Sequence, residues 1–258
     1  MRNFISVVSH GHAKLIKELN VLPVLAKDNV VVIKCNKESD VDSLGEYCAL
    51  HNIYLLSNDF GKGFGANNNI VFEFCKRKFD MNSEDYFTVL NPDLKIDLIE
   101  LRKLYLHVEE DRSKLSTINL YKDEEMTLSD DAIRRFPQLK DFFISLLLKK
   151  NATKYDKASF RKATSIDWAA GSFLMFECGH YEKLNGFDEK YFMYCEDIDI
   201  CYRSNLLNHA PMYYPDVYAI HLARHANRSV FSKHFYWHLR SALIFLKMKY
   251  KNPINKYN

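Results

Sequence analysis

The first 95 residues switch repeatedly between two hydrophobic periods, and that alternation limits the fold more than any other feature. Short β-rich runs recur as "FISVVS" (4–9), "NVVVIKC" (29–35), "IYLLS" (53–57) and "DYFTVLNPDL" (85–94). Between them, apolar residues fall at helical spacing in "HAKLIKELNVLPVL" (12–25), "VDSLGEYCALHN" (41–52) and "IVFEFCKRKF" (70–79). Strands that alternate with helices imply parallel pairing through crossovers. The expected class is α/β: a Rossmann-like, mostly parallel central sheet flanked by helices, with ligands at the carboxyl ends of the strands.

Beyond residue 95 the pattern is less regular. "EEDRSKLSTINLYKDEE" reads as a strand between charged turns, "RRFPQLKDFFISLLLKK" (134–150) as an amphipathic helix, and "DWAAGSFLMFE" (167–177) as another strand. From residue 231 the tail reads as a helix with Phe231, Phe235, Leu239, Ala242, Leu243 and Leu246 on one face. No internal repeat or low-complexity linker interrupts the chain, so one continuous domain over 1–258 is expected.

A hydrophobic content of 47% excludes a disordered polar chain, and a net charge of +3 is too small to point to nucleic acid. The distribution of charge says more. From His221 to Asn258 there is no Asp or Glu, while Arg224, Arg228, Lys233, Arg240, Lys247, Lys249, Lys251 and Lys256 all fall there. A basic end on a nearly neutral body suits a diphosphate or an anionic membrane surface. The six cysteines show no C-x-x-C pair and no metal-finger spacing, and "MRNFISVVSH" carries no secretory signal. Reduced thiols in the cytoplasm are expected. The apolar run "FFISLLL" (142–148) is far below the roughly 20 residues of a spanning helix.

Four stretches have the residue types that chemistry requires. "SNDFGKGFGANNN" (57–69) follows a strand and precedes a helix. Its glycines permit close backbone approach, and the helix start offers N–H groups to an anion. The spacing fits neither the G-x-G-x-x-G pattern nor a P-loop, and a plain turn explains it equally well. "VLNPDL" (89–94) places Asn91 and Asp93 just past a strand. Asp93 is there suited to hold Mg²⁺ or Mn²⁺ against a diphosphate, the bland reading being an Asx-type turn.

"GFDEKYFMYCEDIDICYR" (186–203) runs from an aromatic wall into Glu196, Asp197 and Asp199 at a helix start. Acidic residues stabilise that end of a helix, but a carboxylate against aromatic bulk also fits a general base. "YAIHLARHANRS" (218–229) supplies His221 after a strand, then Arg224 and Arg228, able to complete a metal shell and to hold phosphate oxygens.

Taken together and in order, "FISVVSHGH", "GFGANNN", "LNPD", "DWAAGSF", "GFDEKYFMYCEDIDICYR" and "IHLARHANRS" resemble the family 2 glycosyltransferases of the GT-A fold over nearly the whole chain. "RRFP" and "NRSVFSKHFYWHLRS" narrow the resemblance to the bacterial O-antigen rhamnosyltransferases that use dTDP-rhamnose. That resemblance implies an inverting, metal-dependent transfer of L-rhamnose to N-acetylglucosamine on undecaprenyl diphosphate. The enzyme would lie peripherally on the cytoplasmic face of the inner membrane, with no nucleic-acid partner. Residues 1–95 would form the nucleotide-sugar half, 96–230 the acceptor and catalytic half, and 231–258 a basic amphipathic tail.

By position, the resemblance makes Asp197 the catalytic base, with Glu196 and Trp168 beside the acceptor. Ser9, Asn36, Phe64, Asn68, Asn91 and Arg228 become donor-binding residues, and Asp93 and His221 the holders of Mg²⁺ or Mn²⁺. One departure stands out. Many relatives carry Asp-Asn where this chain has Cys35–Asn36, and that Asp commonly reads the base. A UDP-sugar donor or a different acceptor on the same fold is therefore the nearer rival. A non-catalytic glycan- or nucleotide-binding module is the more distant one, and the presence of Asp93, Asp197 and His221 speaks against it.

Overall fold

The computed structural model describes residues 1–139, 141, 153–222 and 233–254. The N-terminal alternation folds as the pattern implies. Strands β1 (Asn3–Ser9), β2 (Val30–Cys35), β3 (Tyr54–Leu56) and β4 (Tyr86–Leu90) pair in parallel in the order β3-β2-β1-β4. They are joined through helices α1 (Ala13–Leu19), α2 (Leu22–Leu25), α3 (Val41–Leu50) and α4 (Phe64–Phe79). Side-chain alternation along the strands divides the core into two layers. Phe4 and Val32 face one side with Val71, Phe72 and Phe176, while Ile5, Val7, Val31 and Ile33 face the other with Leu44, Leu101 and Leu104. All seven residues of β1 are buried, as a strand covered on both faces requires.

The second half contains β5 (Leu94–Lys95), α5 (Leu98–Asp111), β6 (Leu115–Tyr121), β7 (Ile133–Arg134), β8 (Thr164–Ser165), β9 (Trp168–Ala169) and β10 (Phe173–Glu177). Then follow α6 (Cys178–Lys183), α7 (Glu196–Leu206), β11 (Met212–His221) and α8 (Lys233–Lys251). The sheet extends β4-β10-β6-β11-β5, with β8 also on β11. Strand β10 is antiparallel to both β4 and β6, and β11 is parallel to β6. Thus β1, β2, β3, β4, β6 and β11 all run one way, with β10 reversed between β4 and β6. Their carboxyl ends meet along one edge, and β10 begins at that same edge.

Two sequence expectations change. Arg134 does not begin a helix: Ile133–Arg134 pairs as a strand with Trp168–Ala169, and among the described residues of the stretch only Leu139 and Asp141 are helical. The remainder of that expected helix, "FFISLLLKK" included, lies outside the described residues. The run 167–177 divides into β9 and β10, because Gly171 and Ser172 turn the chain at the edge. Among the described residues no helix is long and apolar enough to cross a membrane. The six cysteines are buried and unpaired.

Candidate active site at the carboxyl edge of the sheet

The three acids at the start of α7 differ sharply in their surroundings. Asp199 is buried and paired with Arg203 at 2.7 Å, and Tyr191 donates to it at 3.2 Å. Arg203 also donates to the Leu184 and Gly186 carbonyls, so Asp199 anchors the 184–186 turn. Glu196 is buried with one carboxylate oxygen lacking any partner. Burial and the neighbouring Asp197 charge push its pKa far above the ordinary carboxylate value. Asp197 is only half-buried and accepts from the Gly171 N–H at 3.1 Å and the Ile198 N–H at 2.9 Å. Burial raises its pKa too, while those two amides and the Arg134 charge pull it part of the way back. A partly accessible carboxylate with strengthened basicity suits proton removal, and burial favours the neutral form of its neighbour.

The backbone that delivers this pair is strained. Tyr194 and Cys195, both non-glycine, adopt left-handed φ values of 70° and 65° immediately before α7. The turn is braced from two sides. A Cβ at Gly63 would overlap the Phe192 carbonyl, and one at Gly65 would lie 2.6 Å from the Phe187 Cβ. The Phe64 N–H donates to the Phe192 carbonyl at 3.2 Å. These glycines therefore serve close packing of α4 against the 187–192 loop, and the first N–H of α4 is occupied there rather than free for an anion. On the other side, α8 contributes Trp237 against Phe192, the His234 ring 3.0 Å from the Tyr194 hydroxyl, and a Ser241 hydroxyl donating to the Met193 carbonyl at 2.9 Å.

Asp93 lies along the same edge. The Asn91 N–H donates to the Ser172 carbonyl at 2.9 Å, and Gly171 next to Ser172 holds Asp197. The loop after β4 and the start of α7 are thus two hydrogen bonds apart. Asp93 Oδ1 is 3.3 Å from His221 Nε2, and His221 Nδ1 is 2.6 Å from Asp130 Oδ2. Burial opposes a charged imidazole, yet the hydrogen bonds and charges of Asp130 and Asp93 prevail and raise the His221 pKa to about 9. Both carboxylates move the opposite way, below their ordinary value, because His221 outweighs their burial.

The pair Asp93 and His221 fits a divalent ion that displaces the Nε2 proton of the imidazolium: neighbouring ligands of an octahedral site lie roughly 3 Å apart. Among the described residues no group of three or more His, Cys, Asp or Glu side chains is placed to hold a metal. An ion here would need further oxygens from outside the protein.

The remaining expected residues divide. Asn36 stands at the carboxyl end of β2, but its amide clasps Lys62, accepting from the backbone N–H at 3.0 Å and donating to the carbonyl at 2.9 Å. Asn68 is buried, accepting from Ser6 at 2.7 Å and donating to the Phe64 carbonyl at 3.0 Å, so its amide ties α4 to β1. The Ser9 hydroxyl is buried and accepts from the His12 N–H at 3.3 Å. Trp168 is buried with its indole N–H donated to the Arg135 carbonyl at 2.9 Å, which makes it a wall. Phe64 sits beside Gly171, and Asn91 is half-exposed. Arg224 and Arg228 lie outside the described residues.

Asp130 is the residue the sequence reading missed. It sits in a charged, aperiodic stretch, and its partner is 91 residues away. A cavity of about 900 Å³ between α4 and the 184–190 loop is separate from this edge; Asn69, Glu73, Lys76, Glu182 and Lys190 line it.

The architecture is that of the GT-A glycosyltransferases. It superposes on GalNAc-T7, crystallised with UDP, GalNAc and Mn²⁺, with a TM-score of 0.64 at 12% identity, covering 96% of this chain and 48% of that one. No family model matches the chain. The rhamnosyltransferase WbbL of Escherichia coli K12 is 40% identical over 249 residues, 95% of this chain and 93% of its own length. The N-acetylglucosaminyl-diphospho-decaprenol L-rhamnosyltransferase of Mycobacterium tuberculosis is 32% identical over 81 residues, 31% of this chain and 26% of its own. The chain belongs to the rhamnosyltransferase family of glycosyltransferases.

Proposed function

We propose that the chain moves L-rhamnose from dTDP-L-rhamnose to N-acetylglucosamine carried on a polyprenyl diphosphate, with inversion, in O-antigen assembly. The observation that carries the reading is the convergence of Asp93 and Asp197 through Asn91, Ser172 and Gly171 on one edge. Asp197 takes the proton of an acceptor hydroxyl. The oxygen attacks the anomeric carbon as the bond to the nucleotide diphosphate breaks, from the opposite face. Asp93 and His221 would hold Mg²⁺ or Mn²⁺, which supplies positive charge against the departing diphosphate when bound. Glu196, whose pKa burial and the Asp197 charge raise, stands next to the base and helps position the acceptor.

Attachment to the membrane surface agrees with α8. Ala242, Phe245 and Leu246 pack on the body, whereas Leu239 (47% exposed) and Leu243 (59%) face solvent with Tyr236 (65%) and Tyr250 (69%). The sequence pattern puts Leu239 and Leu243 on one face with Ala242 and Leu246; in the fold they part, and the helix has two apolar faces. Arg240, Lys247 and Lys251 lie along the outer one, a pattern suited to anionic lipid headgroups.

The deciding experiment is incubation of the protein with dTDP-rhamnose and a lipid-diphosphate N-acetylglucosamine, followed by mass and linkage analysis. A new α-linked rhamnose is expected from the β-configured donor. A β-linked product would remove the single-displacement mechanism, and absence of any product would remove the substrate assignment. The UDP-sugar alternative retains one point in its favour. Cys35 is buried with its thiol hydrogen-bonded to the Lys37 carbonyl, and it offers no carboxylate to a base. Nucleotide release across a donor panel separates the two.

A further inference from the structure

Phe64 opens α4 and is only half-buried, whereas the four residues after it are buried. Its backbone N–H donates to the Phe192 carbonyl, and its ring meets Phe187 edge to face with centroids 6.0 Å apart. The far end of the ring reaches the catalytic edge. From the point that a Cβ on Gly171 would occupy, Phe64 Cε1 lies 2.9 Å away, Phe64 Cζ 3.2 Å and Asp197 Cβ 3.8 Å. A side chain at position 171 would displace the ring, so the missing Cβ lets an aromatic tip stand beside Asp197. The same glycine holds Asp197 through its N–H at 3.1 Å.

That position fixes what the ring can touch. In the displacement proposed above, the transferred sugar lies between the group that deprotonates the acceptor and the groups that hold the departing diphosphate. It therefore sits between Asp197 and Asp93, whose loops meet where the Asn91 N–H donates to the Ser172 carbonyl at 2.9 Å. Phe64 puts a surface without donors or acceptors against that gap. A hexose presents hydroxyls around its rim, and pressing one against hydrocarbon without a partner is unfavourable. A 6-deoxy sugar has a methyl group where the hexose has a hydroxymethyl, and the methyl gains from the same contact.

We infer that Phe64 selects the transferred sugar by its C6 substituent, accepting a methyl group and rejecting a hydroxymethyl. This rests on the function proposed above. The test titrates the full chain and its Phe64→Leu and Phe64→Ser variants, by calorimetry, with two pairs of donors that differ only at C6. One pair is dTDP-L-rhamnose and dTDP-L-mannose; the other is UDP-6-deoxyglucose and UDP-glucose. Wild-type protein should bind the 6-deoxy member about 10- to 100-fold more tightly, the range an apolar pocket achieves against an added hydroxyl. Phe64→Leu keeps an apolar wall and should retain most of that preference. Phe64→Ser admits water and supplies a hydroxyl, and should reduce the preference to within about threefold. Equal affinity of wild-type protein for both members of each pair would overturn the inference. So would a Phe64→Ser variant that weakens both members alike and leaves their ratio unchanged. If the dTDP sugars fail to bind while the UDP pair shows the 6-deoxy preference, the rhamnose reading falls and the role of Phe64 stands. Binding of neither pair would overturn both.

Discussion

His221 Nδ1 lies 2.6 Å from Asp130 Oδ2, which leaves Nε2 of the same ring facing Asp93. A carboxylate on one imidazole nitrogen fixes the ring's orientation and tautomer for whatever the other nitrogen meets, and losing such a partner typically costs 10- to 100-fold in metal affinity. Asp130→Asn should therefore weaken Mn²⁺ binding by about that range, read by electron paramagnetic resonance on the substrate-free protein. His221→Ala should weaken it at least as much. Unchanged Mn²⁺ affinity in Asp130→Asn would show that the Asp130 contact serves only to hold the loop.

Asp197→Asn keeps the shape of the side chain and removes the proposed base. Turnover should fall by about 10² to 10⁴, while titration with dTDP still shows wild-type affinity. Glu196→Gln, which mimics the protonated acid, should cost less than Asp197→Asn. A reversed ranking would move the base to Glu196.

The glycine before α4 carries a packing prediction. At Gly63 a methyl group would strike the Phe192 carbonyl, which is backbone and cannot swing aside. Gly63→Ala should cost about 1–3 kcal/mol in urea denaturation and lower turnover by shifting the strained turn before Asp197. Gly45, inside α3, has nothing within 4 Å of the same position. Gly45→Ala should instead stabilise by roughly 0.4–1 kcal/mol through helix propensity and the unfolded chain.

Acid sensitivity should trace in part to His180. It is buried, with its ring nitrogen 2.7 Å from the Ser204 hydroxyl, and burial followed by the His209, Lys114 and Lys183 charges lowers its pKa to about 4. The unfolded chain takes a proton near 6.5 and the folded one does not. The stability is thus whole above that value and declines as pH falls towards 4. Between pH 6.5 and 5 the loss should be about 2 kcal/mol, and His180→Gln should flatten that slope. A wild-type slope retained in His180→Gln would assign the effect to other groups.

The outer face of α8 makes the membrane reading measurable. Leu239→Glu combined with Leu243→Glu should abolish flotation with anionic liposomes at low salt and leave the melting transition near wild type, because both side chains already face solvent. Flotation retained by that double variant would exclude this face.

Much of the N-terminal half was legible because β1, β2 and β4 are buried and rich in β-branched and aromatic residues at a spacing that no amphipathic helix imitates. The edge position of Asn91 and Asp93 followed directly. Strand β7 was not legible. It is two residues long, and its strand partners, Trp168 and Ala169, lie over thirty positions later. Among the three acids of α7, only Asp199 showed its role locally, through Arg203 one turn on. Glu196 and Asp197 are separated by what surrounds them, an empty buried oxygen in one case and the Gly171 amide in the other, and neither environment is written nearby.

Helix α8 leaves an engineer little freedom. Clipping the chain ahead of Lys233 to obtain a better-behaved fragment would discard the greasy outer stripe. The same cut would remove Trp237 and Ser241, the props beneath Phe192 and Met193. Such a shortened protein would be expected to stay in solution and to lose catalysis together, and its inactivity would say nothing about lipid.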